Sequence, residues 1–96
     1  MRLVLCDDNR ILCEALAVAL AARGHQALAI TTTAADGVAA VARDQPDACL
    51  LDLRFPQGED GLTAARTIRR RYPDTAVLVL SALLNTLALR RYGRLS

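Results

Sequence analysis

The 96-residue sequence contains no lysine and no tryptophan, so each of its twelve basic side chains is an arginine guanidinium. Aromatic residues make up only 3% of the chain, and a core would therefore be built from Ala, Leu and Val. No stretch of 18 residues is free of charge, which excludes the usual pattern of a membrane-spanning helix. The apolar start is interrupted by Asp7-Asp8, which argues against an export signal. We therefore expect one domain over residues 1–96, located in the cytoplasm and not associated with a membrane.

The three cysteines lack the spacing of a metal site. Cys6 and Cys49 lie within apolar runs, and Cys13 stands apart from both. A thiol in an apolar run behaves as a small apolar side chain, so we predict core cysteines without a redox or metal role. The lone histidine, His25, falls where a strand should begin and is predicted to be structural.

The net charge of +2 conceals an asymmetry along the chain. Residues 1–61 hold nine acidic residues and five arginines, whereas residues 62–96 hold seven arginines and one aspartate. A basic second half could meet nucleic acid or an acidic partner. Tyr72 and Tyr92 are the only aromatic residues among these arginines, too few for the interleaving typical of nucleic-acid binding. A solvated face is therefore the preferred interpretation, and we predict no direct nucleic-acid contact by this segment.

Apolar runs and helix signals alternate along the chain. Four apolar runs predict strands at 2–6, 25–30, 48–53 and 76–80. The intervening segments predict helices at 11–23, 34–43, 62–72 and 83–92, with Asn9 capping the first and Gly24 ending it. This order predicts an α/β fold with a parallel sheet and right-handed crossovers. The first helix has little polar face, so we expect it to be covered on more than one side.

Acidic side chains follow two of the predicted strands. Asp7-Asp8 come directly after the first strand, and Asp52 lies at the end of the third. The carboxyl ends of parallel strands meet at one edge, so these carboxylates should lie together. Two carboxylates about 4 Å apart repel by roughly 4 kcal/mol at an effective dielectric of about 20, and an all-oxygen cluster of this kind suits Mg²⁺.

A metal ion there would leave one carboxylate free to attack a phosphoryl group. Asp52 is the predicted nucleophile because it stands alone at its strand end, while Asp7 and Asp8 are the predicted metal ligands. The backbone carbonyl of Arg54 could add a further oxygen. Ser81 follows the fourth strand, and its hydroxyl could donate a hydrogen bond to a phosphorylated Asp52. Each residue alone also fits a loop or capping role, so the prediction depends on three strand ends carrying suitable groups together.

Three segments resemble the receiver domain of two-component response regulators. They are Leu3–Asn9, Leu50–Pro56 with Asp60-Gly61-Leu62, and Val77–Ala82. The resemblance implies a flavodoxin-like sheet and a phosphoryl group passed from a sensor histidine kinase to Asp52, with Mg²⁺ held by Asp7, Asp8 and Asp52. It also implies that Ser81 is the hydroxyl that turns toward the phosphate. The context after Asp52 is similar to receivers attached to DNA-binding regions of transcriptional regulators.

The sequence departs from that family at its C-terminal end. Family receivers have five strands ordered 2-1-3-4-5 and a lysine, at the end of the fifth strand, that contacts the phosphate. Here lysine is absent and no fifth strand or fifth helix is predicted, so we expect an incomplete receiver with the strand order 2-1-3-4. The fourth strand would then be an exposed apolar edge, which predicts a homodimer or higher self-association through that strand and the C-terminal segment.

Three functional hypotheses follow from these patterns. The first is a phospho-accepting receiver domain, a truncated part of a transcriptional regulator, which is a signalling domain and not an enzyme beyond self-phosphorylation and autodephosphorylation. The second is a pseudo-receiver that acts as an interaction or dimerisation module without phosphorylation, which the missing lysine favours. The third, a small Mg²⁺-dependent phosphotransferase of another family, is disfavoured because the sequence offers no second acid/base residue and no substrate pocket.

Overall fold

Alternating strands and helices make up the part of the chain that the computed structural model describes, residues 1–55 and 61–80. The elements in chain order are β1 (Arg2–Cys6), α1 (Arg10–Ala21), β2 (Gln26–Thr31), α2 (Ala34–Asp44), β3 (Ala48–Leu51), α3 (Gly61–Arg71) and β4 (Ala76–Val79). The four strands form one parallel sheet in the order β2-β1-β3-β4. The predicted fold class and strand order are therefore confirmed. The predicted last helix, 83–92, lies outside the described residues.

Side-chain caps start two helices close to the carboxyl ends of the strands before them. The Asn9 side chain accepts a hydrogen bond from the backbone N–H of Leu12 at 3.0 Å, as predicted for α1. Thr33 caps α2 in the same way, accepting from the N–H of Asp36 at 3.1 Å. Gly24, with φ of +87°, lies in the turn after α1, a conformation that glycine adopts without strain. The two capped turns lie at the carboxyl ends of β1 and β2, and the Gly24 turn lies at the opposite end of the strands.

The third strand is shorter than the sequence predicts. It ends at Leu51 and not at Leu53, because Asp52 has already left the sheet and entered a turn. The side chain of Asp52 accepts a hydrogen bond from the backbone N–H of Arg54 at 3.2 Å, which closes that turn. The early end of β3 leaves the Asp52 carboxylate at the rim of the sheet.

The sheet is packed on both faces, and its two central strands are its most buried part. Every residue of β3 is buried, as are the last four residues of β1. One face packs against α2 and α3 around Val41 and Ile68, and the other packs against α1 around Leu5 and Leu50. Continuous apolar strands are what a parallel sheet covered on two sides requires.

The three cysteines are buried, as predicted, and no disulfide joins them. Burial raises the pKa of the Cys49 thiol to about 12. Burial, with a smaller effect from the nearby Asp7 carboxylate, raises the pKa of Cys13 to about 11. Both thiols therefore stay protonated and unreactive at neutral pH.

Helix α1 is more exposed than its composition predicts. Cys13 is its one buried residue, whereas Ile11 is 79% exposed and Val18 is 73% exposed. Leu12, Leu16 and other residues of one face pack against the sheet, and three alanines, Ala15, Ala19 and Ala21, lie on the exposed side. Within this single chain the face that carries Ile11 and Val18 therefore lacks the second cover that the composition of α1 predicts.

None of the helices in the described ranges is long and apolar enough to cross a membrane.

Candidate functional site

The predicted acidic residues meet at the carboxyl edge of the sheet. Asp7, Asp8 and Asp52 each place one carboxylate oxygen within 4.8 Å of the others. The neighbouring parallel strands β1 and β3 deliver them, since Cys6 is aligned with Leu51 and the acidic residues follow directly. Strand order and register, rather than loop conformation, therefore bring the three carboxylates together.

Backbone hydrogen bonds continue beyond the strands and fix the positions of two of these residues. The N–H of Asp52 donates to the carbonyl oxygen of Cys6 at 2.9 Å. The N–H of Asp7 donates to the carbonyl oxygen of Thr31, at the end of β2, at 3.1 Å. Three strand ends are thus tied together at the base of the acidic cluster, which limits how far the carboxylates can move apart.

Asp7 is the buried member of the cluster, with 6% of its surface exposed. One of its carboxylate oxygens accepts a hydrogen bond from the N–H of Asn9 at 2.8 Å, which links it to the cap of α1. Burial raises the pKa of Asp7, the Asn9 hydrogen bond opposes that rise, and the carboxyl groups of Asp8 and Asp52 add to it. The free protein therefore resists full ionisation of this cluster.

Asp52 is half-buried and presents an oxygen to the site. Its Oδ1 accepts the hydrogen bond from Arg54, while Oδ2 has no hydrogen-bond partner within residues 1–55 and 61–80. Phe55, which is 8% exposed, belongs to the core cluster beneath α2 and α3 and anchors the chain just after the turn. The Asp52 carboxylate is thus held at one oxygen and open at the other.

Two glycines support the site and were not predicted from the sequence. A Cβ at Gly61 would lie 2.6 Å from the carbonyl oxygen of Asp52, so α3 begins directly against the backbone of the acidic residue. A Cβ at Gly37 would lie 2.6 Å from the Sγ of Cys6, the residue before Asp7. The sequence carries a signal for Gly61, because it follows Asp60 at a predicted helix start, but none for Gly37.

The charge and the donor atoms of the cluster fit a hard divalent cation. All three side chains offer carboxylate oxygen, the ligand that Mg²⁺ prefers. The ion pairs in the described part of the chain, Arg10–Glu14 and Arg43–Asp44, leave the cluster without a basic partner. A metal ion would supply the missing positive charge. Of the other predicted site groups, Ser81 lies outside the described residues, and the carbonyl of Arg54 stays a predicted ligand.

Comparison with known proteins assigns the family. The family model described as the response regulator receiver domain matches residues 3–92. The oxygen regulatory protein NreC of Staphylococcus epidermidis is 36% identical over 84 residues, which is 84% of this chain and 38% of NreC. The chain therefore belongs to the response regulator receiver domain family, a family of signalling domains, and its relatives are NreC- and NarL-type response regulators.

Solved structures agree with this assignment. The receiver domain of the putative response regulator NarL from Mycobacterium tuberculosis is 30% identical with a TM-score of 0.73, covering 81% of this chain and 63% of that one. A LuxR-family two-component response regulator from Aurantimonas sp. SI85-9A1 is 28% identical with a TM-score of 0.74, covering 81% of this chain and 56% of that one. The chain thus spans less than two thirds of the length of these relatives.

Proposed function

We propose that this domain accepts a phosphoryl group on Asp52 from a sensor histidine kinase, with Mg²⁺ as cofactor. The observation that carries the proposal is the cluster of three carboxylates at one sheet edge, in which Asp52 keeps an oxygen free of hydrogen bonds to the described residues. Membership of the receiver family supports it, since a phosphorylated aspartate is the usual signal of such domains. The comparisons give the family, and the role of each residue is our proposal.

The chemistry is one displacement at phosphorus. The free oxygen of Asp52 attacks the phosphorus of a phosphohistidine, a P–O bond forms as the P–N bond breaks, and the imidazole leaves with the electron pair and takes up a proton. Bound Mg²⁺ supplies positive charge that offsets the repulsion between the carboxylate and the incoming phosphoryl oxygens. Asp7, Asp8, Asp52 and the carbonyl of Arg54 would hold the ion. The hydroxyl of Ser81 would donate to the acyl phosphate, and attack by water would restore the carboxylate.

Intact mass spectrometry tests the proposal directly. The protein is incubated with Mg²⁺ and acetyl phosphate, a small donor that makes the test independent of any particular kinase. We expect a mass gain of one phosphoryl group that is absent from Asp52→Asn and from samples with excess chelator. Asp74→Asn, an exposed aspartate far along the chain from the cluster, is the matched control and should gain the same mass. A gain that persists in Asp52→Asn would contradict the assignment of the acceptor.

A pseudo-receiver is the second candidate function, and it is favoured because no basic side chain of residues 1–55 and 61–80 forms an ion pair with the acidic cluster. A cation that contacts the phosphate helps to convert phosphorylation into a structural change. In this alternative the domain keeps its fold and serves as an interaction module. A protein that stays folded by circular dichroism but gains no phosphoryl group with Mg²⁺ and donor would support the pseudo-receiver.

We also propose self-association through β4 and the segment that follows it. Among the described strands β4 pairs only with β3, and Leu78 on it is 47% exposed. An apolar strand with one open edge favours pairing with a second chain. Sedimentation at increasing concentration should show a dimer that Leu78→Lys weakens, whereas Ile11→Lys, a change at an equally apolar exposed position on α1, should not. A monomer at all concentrations would contradict this proposal.

The regulatory setting that fits these relatives is transcription control in the cytoplasm. One related structure is that of a DNA-binding response regulator of the LuxR family, from Staphylococcus aureus. In our proposal any contact with nucleic acid belongs to another part of such a regulator, and this receiver segment makes none. Gel-shift assays of the present chain with duplex DNA should therefore show no complex at physiological salt.

A further inference from the structure

Helix α3 carries an unusual concentration of positive charge on its exposed side. Arg66, Arg69 and Arg70 lie within about 100° of helical arc, since each residue turns the helix by about 100°. All three are exposed, while the opposite side of α3 is buried in the core through Ala64, Ala65 and Ile68. We call Arg66, Arg69 and Arg70 the α3 arginine face.

No acidic side chain of residues 1–55 and 61–80 forms an ion pair with the α3 arginine face. The ion pairs in this part of the chain involve Arg10 and Arg43 only. After Gly61 the one acidic residue within the described ranges is Asp74, beyond the end of the helix. Among the described residues nothing is paired with these arginines to offset their mutual repulsion. Each pair of like charges three or four residues apart destabilises a helix by about 0.2–0.5 kcal/mol.

The helix dipole explains only part of this arrangement. A cation in the last turn stabilises a helix by about 0.3–1 kcal/mol, and Arg69 and Arg70 lie there. Arg66 lies one turn earlier, where the dipole no longer favours a positive charge. The spacing of Arg66 and Arg70, one helical turn or about 6 Å, instead matches carboxylates on a facing peptide segment.

We propose that the α3 arginine face is a docking surface for an acidic segment of a partner protein. Leu62, which is 44% exposed, lies on the same side one turn before Arg66 and gives the surface an apolar end. An acidic peptide with an apolar residue meets both parts of this surface, whereas the nucleic-acid backbone offers phosphates alone. Three arginine contacts would also bind duplex DNA only weakly and without sequence specificity. The logarithm of the binding constant would fall against the logarithm of the salt concentration with a slope of only about −2.7. The surface shares no residue with the acidic cluster, so the proposal does not rest on phosphorylation of Asp52.

Fluorescence anisotropy with defined probes tests the docking surface on the full chain. The first probe is a labelled helical peptide with one leucine followed by glutamates at i+4, i+7 and i+8, and the second is the same peptide with glutamine in place of glutamate. The third is a labelled DNA duplex, which offers a regular array of phosphates. We expect the glutamate peptide to bind more tightly than either of the other probes, and its binding to weaken as salt rises.

Two triple variants separate the α3 arginine face from net charge. The triple variant Arg66→Gln/Arg69→Gln/Arg70→Gln should bind the glutamate peptide with about tenfold lower affinity. This loss is equivalent to about 1.4 kcal/mol over three exposed contacts. The control Arg10→Gln/Arg23→Gln/Arg43→Gln removes the same charge elsewhere and should change binding by less than about threefold.

Several outcomes would overturn the proposal. They are equal losses in the two triple variants, no binding of the glutamate peptide by the wild-type chain, and tighter binding of DNA than of the peptide. The last would make the surface a nucleic-acid site. Circular dichroism checks folding, and if the first triple variant is unfolded, Arg66→Gln alone decides, with an expected loss of about threefold in affinity.

Discussion

The adjacent residues Asp7 and Asp8 follow the end of β1 but differ in burial. Asp7 continues the buried run of the strand and is 6% exposed, whereas Asp8 is exposed. Burying a carboxylate beside two others opposes its ionisation, and the pKa of Asp7 is accordingly raised above its ordinary value of 3.8. Asp7 is thus the aspartate whose ionisation most destabilises the metal-free protein, and also the one whose charge a bound cation would stabilise most.

Asp7→Asn should therefore stabilise the metal-free protein at neutral pH. Folded Asp7 binds its proton more tightly than the unfolded chain does, so its contribution to stability falls as pH rises above 3.8 and stays unfavourable at higher pH. Removing one of three charges should raise the free energy of unfolding by up to about 3 kcal/mol, the scale of one carboxylate repulsion at this range. Urea unfolding with and without chelator measures it.

Magnesium should remove most of that difference in stability between the wild type and Asp7→Asn. At about 100 times its dissociation constant the ion should add about 2.7 kcal/mol to the wild-type protein and much less to Asp7→Asn. Asp74→Asn is the control, and its stability should follow that of the wild type in both conditions. Equal stabilisation of the wild type and Asp7→Asn by Mg²⁺ would exclude Asp7 from the metal site.

Gly61→Ala should damage both stability and the site. The added Cβ would lie 2.6 Å from the carbonyl oxygen of Asp52 and from the Cα of Leu53, and backbone atoms cannot rotate away. We expect a loss of about 1–3 kcal/mol in unfolding free energy and a several-fold weaker affinity for Mg²⁺. Gly24→Ala is the contrast: its Cβ meets nothing within 4 Å, but φ is +87°, so it should cost about 1 kcal/mol and leave Mg²⁺ affinity unchanged. Unchanged affinity in Gly61→Ala would show that the helix start does not position Asp52.

At the scale of the elements, the sequence predicted what periodicity and strand ends determine. Four apolar runs identified the strands to within one or two residues, and the sheet order followed from the family resemblance. Asp7, Asp8 and Asp52 could be placed together because parallel strands share a carboxyl edge. The approach of α2 to β1 could not be predicted, since Gly37 and Cys6 are 31 positions apart and nothing local marks their contact. The exposure of Ile11 could not be predicted either, because composition does not show which neighbours a helix has.

A change in the contact between α2 and β1 should alter Mg²⁺ binding at the acidic cluster, and a double-mutant cycle tests this. Gly37→Ala puts a Cβ 2.6 Å from the Cys6 Sγ and should cost about 1–3 kcal/mol in stability while weakening Mg²⁺ binding through the adjacent Asp7. Cys6→Ala removes that sulfur, so the double variant should recover much of both losses, with a coupling energy of at least about 1 kcal/mol. Calorimetric Mg²⁺ titration and urea unfolding give the two readouts. Strictly additive effects would show that the two residues do not act through their contact.

Across the whole molecule, the proposed Mg²⁺ site and a set of stabilising contacts between helix and sheet lie at opposite ends of the parallel strands. The carboxyl edge holds the acidic cluster, whose charges oppose folding. At the amino edge, the guanidinium of Arg2 donates to the carbonyl oxygens of Gln45 at 3.2 Å and of Asp44 at 3.0 Å, at the C-terminal end of α2. The backbone N–H of Arg2 donates to the carboxylate of Asp47 at 2.7 Å. These contacts fasten helix to sheet far from the site, so changes there should affect stability alone.

Thr75→Val tests this division of roles. Thr75 is 5% exposed, and its hydroxyl donates to the carbonyl oxygen of the buried Pro46 at 2.8 Å, joining the entry to β4 with the entry to β3. Valine keeps the shape but leaves that carbonyl without its donor, so the free energy of unfolding should fall by about 1–3 kcal/mol. Thr67→Val, at a half-buried threonine on α3 with no described hydrogen bond from its side chain, should change the free energy of unfolding by less than about 0.5 kcal/mol.

Mg²⁺ affinity and phosphorylation of Asp52 should stay at wild-type values in both variants while they remain folded. A folded Thr75→Val protein with weakened Mg²⁺ binding would show that the two edges are coupled through the sheet, because a purely structural contact at the amino edge has no other route to the acidic cluster.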